Sequence, residues 1–261
     1  MPYQEDNGPP MFTYAALAAF VAFFGAQYSG TADLSKFYSF PWRVADGEYW
    51  RLITCTFLHG GVLHIVFNLA LFLRFSPVLD NWLGPWFALA FYAVVAASSS
   101  AAQLLVSASP WGLVGASGVV YGLFGFLWVM SRRRDDAASV VNQHMVETLI
   151  VWLVICAVVN YFGGNIGNTA HAMGLLVGWM VGQTFVARRQ WRLPLAVATL
   201  LVAALPLVLL QPPVWRATLG QVPPFSRWYP HVTYPGQREF FENPDLAPKP
   251  GFMTGGPDAP G

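Results

Sequence analysis

Charge is what this chain has least of. Only 10% of its 261 residues are Asp, Glu, Lys or Arg, against roughly a quarter in a soluble domain. The formal net charge is +1, which leaves no basic surface of the extent that nucleic acid requires, so no nucleic-acid partner is expected. Cysteine is as scarce. Cys55 and Cys156 lie far apart, match no metal-ligand spacing and read as small apolar residues, not as a disulfide framework. Acids are missing from the apolar stretches: all thirteen fall in loops, tails or at helix ends.

What is abundant is hydrophobic side chain, 55% of the total. Residues 11–28, 60–73, 84–131, 148–187 and 193–215 carry no charged residue at all. A bilayer core takes about 20 residues of helix, so apolar runs of this length read as transmembrane spans. The first run follows Glu5 and Asp6, with no Lys or Arg before Lys36. It lacks the basic start of a cleaved signal and is expected to be a permanent span.

The expected class is therefore all-α, a polytopic membrane helix bundle with spans over 11–28, 61–79, 85–106, 117–130, 146–161, 169–187 and 193–210. The last contains Pro206, which predicts a kink. Residues 29–59 are too polar to cross. Their mixture of aromatic and basic side chains, from Phe37 to Trp42 and again at Trp50 and Arg51, suits the headgroup level. From Gln211 onward the chain holds 11 of its 20 prolines and shows no hydrophobic periodicity, so residues 211–261 are expected to be extended or disordered.

Basic residues predict the orientation. Arg74, then Arg132 to Arg134, then Arg188, Arg189 and Arg192 follow the second, fourth and sixth spans, while the loops after the third and fifth hold none. Under the positive-inside rule the N-terminus is cytoplasmic and Ser117 opens toward the extracytoplasmic side. The loop with Lys36, Arg43 and Arg51 runs against that rule.

Polar residues inside lipid are costly and face a bundle interior or a cavity. Four of them gather toward the outer face. His64 and Asn68 are one helical turn apart and share a face; Ser117 opens the fourth span and His171 stands near the start of the sixth. Each has a bland reading as glue between helices, but glue does not require all four to share one face and one depth. Gly174, Gly178 and Gly182 repeat on the face of His171, and Gly118, Gly122 and Gly125 form a second stripe beside Ser117 and Tyr121. Small residues let membrane helices approach closely, which would bring a serine within reach of its base. The segment Gly115-Ala116-Ser117-Gly118 is not the Gly-x-Ser-x-Gly elbow of soluble hydrolases, since Val119 stands where glycine would be needed. No third, acidic triad member is visible, so a Ser–His dyad is the economical reading.

These residues, taken together, resemble the rhomboid family of intramembrane proteases. The pattern comprises Trp50-Arg51, His59, His64, Asn68, Gly115-Ala116-Ser117-Gly118, Tyr121, Ala170-His171, Gly174 and Gly178, over residues 11–187. The resemblance implies a six-helix core at 11–187 after an N-terminal tail at 1–10. Residues 188–210 would form a seventh transmembrane helix, as in the six-plus-one members, followed by the tail at 211–261. It implies a serine endopeptidase that cuts transmembrane segments of single-pass membrane proteins within the lipid bilayer. Ser117 would be nucleophile and His171 base. His64, Asn68 and the Ser117 N–H would form the oxyanion hole, Tyr121 would stack under His171, and Gly115, His59 and Arg51 would support the site. Inactive relatives, which bind membrane clients without cutting them, lack the Ser or the His, and both are present here. A transporter or channel would need an intramembrane acid or an inverted repeat, and neither is found. His59, His64 and His171 come without a carboxylate or cysteine beside them, so no metal or other cofactor is expected.

Overall fold

A computed structural model describes residues 8–106, 112–162 and 166–211. Most of the N-terminal tail, the first half of the 107–116 connection, part of the Gly-Asn turn near 163–168 and nearly all of the Pro-rich tail lie outside the described residues.

Among the described residues the fold has ten α-helices. They are α1 (Met11–Ser29), α2 (Pro41–Ala45), α3 (Arg51–Thr54), α4 (Val62–Leu83), α5 (Pro85–Val106), α6 (Ser117–Met130), α7 (Asp135–Val140), α8 (Gln143–Tyr161), α9 (Asn168–Val186) and α10 (Arg189–Leu209). Five of them, α1, α4, α5, α8 and α10, are long and apolar enough to cross a membrane. The chain is an all-α, multi-pass integral membrane protein. α9 is a 19-residue helix that falls outside this set, and the reason is its composition. Asn168, His171 and Gln183, together with three glycines at its packing face, dilute its apolar character.

The short helix α6 stands at the centre. All its residues except Ser117 and Trp128 are buried, and it is packed by α4, α5 and α9. Fourteen residues span roughly 21 Å at 1.5 Å each, less than the roughly 30 Å of a hydrocarbon core. Its first residue is therefore held within the bundle when its last reaches the far side. The partner side is α9, and glycine sets the distance. A Cβ on Gly125 would lie 2.9 Å from the Trp179 nitrogen, and one on Gly182 would meet Val129 at 2.9 Å, while on the other flank a Cβ on Gly122 would meet Val95 of α5 at 2.6 Å. Cβ atoms on Gly174 and Gly178 would overlap the carbonyl oxygens of Gly118 and Gly122. The two helices run parallel in this register, so Ser117 and His171 open them at one end.

One difference from expectation carries information: α4 extends to Leu83. At the other end of the chain α10 contains both Pro194 and Pro206. The longer α4 puts Asp80 inside a helix, 2% exposed, where its Oδ2 accepts the Thr13 N–H at 2.8 Å. Beside it the Thr13 and Ser76 hydroxyls pair at 2.7 Å. Pro10 supplies no side-chain cap to α1, so a carboxylate from another helix satisfies this orphan donor and faces the positive end of the α1 dipole. Replacement Asp80→Ala is expected to cost about 1–2 kcal/mol of stability, and Asp80→Asn, which keeps an acceptor, less. Thermal melts in one detergent measure both; an Asp80→Ala protein that melts with the wild type would mean that the cap stabilises nothing.

The 29–59 connection is ordered by its own charges. Arg51, 5% exposed, donates through Nη1 to the carbonyl oxygens of Ser35 and Tyr38 at 2.7 and 2.9 Å. Its Nε donates to Glu48 at 2.6 Å, and Arg43 reaches the other Glu48 oxygen at 3.6 Å. Two of the three basic residues that run against the positive-inside pattern are thus paired with one acid.

Candidate active site

A cavity of about 620 Å³ opens among the first turns of α4, α6 and α9, the middle of α8 and the end of α5. Ser117, His171, His64, Asn68, Tyr121 and Gln103 all contribute to its wall. At its floor the Ser117 Oγ and the His171 Nε2 are 2.8 Å apart, a full hydrogen bond between a hydroxyl and an imidazole. His171 is 4% exposed, and its ring stacks on Tyr121 with centroids 4.8 Å apart and planes 27° from parallel. The Tyr121 hydroxyl donates to the Leu149 carbonyl oxygen of α8 at 3.0 Å, which fixes the stacking surface in turn. The other ring nitrogen, Nδ1, is buried, and neither a carboxylate nor any other acceptor among the described residues orients it.

His64 presents its far nitrogen to the same space. Its Nδ1 accepts the Gly60 N–H at 3.2 Å, so the neutral ring carries its proton on Nε2 and can donate there. Room for that ring is provided by Gly115. A Cβ at Gly115 would sit 2.6 Å from His64 Cε1 and 2.7 Å from Nε2, and the backbone there has φ +111°. Both the steric space and the left-handed conformation require glycine. Asn68 is 5% exposed. Its amide Nδ2 donates to the His64 carbonyl oxygen at 2.9 Å, leaving its second N–H for a partner in the cavity.

His59 does not line the cavity. It is 1% exposed, edge-on to His64 with centroids 5.1 Å apart and T-shaped to Phe20 at 5.9 Å. Burial, with His64 as second cause, lowers its pKa to about 3, so it is neutral packing behind His64. Its peptide is gripped on both sides by Gln27 of α1, whose Oε1 accepts the His59 N–H at 3.1 Å and whose Nε2 donates to the His59 carbonyl at 2.9 Å.

Gln27, Gln103 and Ser39 carry no local sequence signal for a role at the site. Gln103 Oε1 accepts the N–H groups of Thr169 and Ala170, at 3.0 and 3.2 Å, and so caps the first turn of the helix that bears His171. In sequence Gln103 merely follows the serine run Ser98-Ser99-Ser100 near the end of α5. Among the described residues no three His, Cys, Asp or Glu side chains converge as a metal site.

Comparison with known proteins gives this arrangement a context. The family model of the rhomboid domain matches residues 46–188. The candidate rhomboid protease YdcA of Bacillus subtilis is 32% identical over 149 residues, 57% of this chain and 73% of the relative. Rhomboid protease GlpG of Photorhabdus laumondii is 28% identical over 179 residues, 69% of this chain and 62% of the relative. GlpG of Pectobacterium atrosepticum is 29% identical over 177 residues, with 68% and 63% covered. The chain thus spans less than two thirds of either GlpG relative.

Proposed function

We propose that this chain, which belongs to the rhomboid family, is a serine endopeptidase that cuts transmembrane segments of membrane proteins with a Ser117–His171 dyad. At the level of the family the protein is an intramembrane protease. The single observation that carries the finer reading is the 2.8 Å bond from Ser117 Oγ to His171 Nε2 inside the cavity. Residues 11–187 would be the protease core and 188–210 an added seventh span, between tails at 1–10 and 211–261.

The steps follow from the groups present. His171 Nε2 takes the Ser117 hydroxyl proton as Oγ bonds to the scissile carbonyl carbon. The carbonyl π pair moves onto oxygen, and that oxyanion accepts hydrogen bonds from His64 Nε2–H, Asn68 Nδ2–H and the Ser117 N–H. The imidazolium, with its charge over the Tyr121 face, then gives its proton to the leaving amine as the C–N bond breaks. Water attacks the acyl-serine with His171 again taking a proton, and returning it to Oγ releases the acid and restores the enzyme. Phe67 of α4 and Trp152 of α8 flank the cavity with ring centroids 6.1 Å apart. This apolar side suits entry of a single-pass helix, which must unwind to expose its peptide bond.

The oxyanion role is separable from helix glue by kinetics. Asn68→Ala is expected to lower kcat by roughly tenfold or more with little change in KM, and His64→Ala likewise. The pair should fall short of additivity, because both donors serve one oxygen. Steady-state rates and melting curves on the same preparations decide it: early melting with a normal kcat returns both residues to structure.

Orientation is tested by thiol labelling in intact cells. Cysteines at the exposed positions Arg133 and Arg189 should be shielded from an impermeant reagent, and one at exposed Lys36 should react; the native Cys55 and Cys156 are buried. The reverse pattern would move the site to the cytoplasmic side.

A further inference from the structure

The seventh helix, α10, contains none of the cavity-lining residues, yet its end reaches the back of the catalytic apparatus. Leu207 and Leu210 pack on a small buried cluster of Val44, Leu52, Ala101 and Leu104 that is separate from the main core. Val44 and Leu52 belong to α2 and α3, and Ala101 and Leu104 to the last turns of α5. Leu104 also forms part of the cavity wall, so the cluster has α10 on one flank and the site on the other. One residue beyond Leu210, Gln211 Oε1 accepts the Tyr49 hydroxyl at 2.9 Å, tying the α2–α3 turn to the end of α10.

The α2–α3 region is in turn fastened to the extended segment that delivers the serine. Ser39 is fully buried, and its Oγ both accepts the Leu113 N–H at 2.9 Å and donates to the Leu113 carbonyl at 3.0 Å. Gly112, at φ +72°, backs onto the same turn, and a Cβ there would lie 2.5 Å from the Ser39 carbonyl oxygen. The Cys55 carbonyl, immediately after α3, accepts the Gly115 N–H at 3.1 Å. Leu113 and Gly115 lie four and two residues before Ser117.

We propose that α10 is a brace for catalytic geometry: Leu207, Leu210 and Gln211 hold the α2–α3 segment, which through Ser39 and Cys55 positions residues 112–116 and with them Ser117 Oγ and the Gly115 recess for His64. These are positioning residues, and the proposal rests on Ser117 being the nucleophile. The physical reason is leverage. Residues 112–116 form no helix or strand, so their position depends on side-chain and carbonyl bonds to a segment that itself contains only two short α-helices. Such a segment opens locally unless apolar packing covers it, and α10 supplies the cover on the flank away from the cavity.

The test uses the full chain in detergent, with Tyr49→Phe, the pair Leu207→Ala and Leu210→Ala, and Leu200→Ala on the exposed face of α10 as control. Two readouts are taken well below each melting temperature: amide exchange in peptides covering 112–117, and the rate at which a fluorophosphonate modifies Ser117. Tyr49→Phe and the leucine pair should speed exchange in 112–117 while α6 and α9 stay protected. They should slow phosphonylation, the pair by roughly tenfold, as expected when a reacting atom is misplaced by a fraction of an ångström to an ångström. The control should change neither. A lowered melting temperature with unchanged exchange in 112–117 overturns the brace and leaves α10 as general stabilisation. If the leucine pair does not fold, Tyr49→Phe alone decides by the same exchange reading. If the wild type is never modified at Ser117, the nucleophile assignment fails, while exchange in 112–117 still decides whether α10 holds that segment in place.

Discussion

Ser117→Ala and His171→Ala should each remove cleavage of a model single-pass substrate, by about 10³-fold or more, while melting like the wild type. The size follows from what each group does at the 2.8 Å contact. Without Oγ there is no atom to form the acyl intermediate. Without Nε2 the hydroxyl has no base in the cavity, because the other ring nitrogens nearby belong to His64, whose Nδ1 is engaged by the Gly60 N–H. Groups that act as a unit are not additive, so the double mutant should be scarcely worse than either single one. A fluorophosphonate should modify Ser117 in the wild type and far more slowly in His171→Ala. Substantial turnover by either single mutant, measured by gel with purified protein, would end the dyad mechanism.

Gly178→Ala should unfold or grossly weaken the bundle, although it adds one methyl to a helix and alanine is the better helix former by about 1 kcal/mol. The added Cβ would overlap the Gly122 carbonyl oxygen and lie 2.6 and 2.8 Å from that residue's carbonyl carbon and Cα. These are backbone atoms of the central helix, which cannot swing aside as a side chain can. Overpacking costs about 1–3 kcal/mol where neighbours yield; here a loss of about 3 kcal/mol or more is expected, because α6 and α9 must part along their length. Separation also carries Ser117 away from His171, so residual folded protein should have lost activity beyond its loss of stability. Gly25→Ala in α1 is the matched control, with no atom within 4 Å of the new Cβ, and should be neutral or slightly stabilising. Equal melting of the two variants would mean that the glycine contact does not set the α6–α9 distance.

Much of this molecule is legible in its sequence, for one reason. Lipid offers no hydrogen-bond partners, so spans must be long, apolar and helical, and every polar residue inside one is conspicuous. Hence Ser117, His171, His64 and Asn68 stand out, and the glycines at spacings of three and four mark the faces that can approach. The α9 span is legible from its freedom from charge, with those glycines and its histidine marking its packing face, although its composition keeps it out of the most apolar set.

Tertiary structure decided what depends on register between helices. Asp80 capping α1, Gln103 capping α9 and Ser39 grasping Leu113 join residues 67, 66 and 74 positions apart. The proton position on His64 follows from Gly60, and the need for glycine at 115 follows from the His64 ring. None of these has a periodicity to read. A helix's apolar face follows from its own residues, but which donor meets which acceptor across two helices depends on their separation, angle and stagger. Those quantities come from close packing of all the side chains together. Sequence alone therefore determined that Ser117, His171, His64 and Asn68 lie in apolar, membrane-spanning stretches; packing determined their partners and those of Asp80, Gln103 and Ser39.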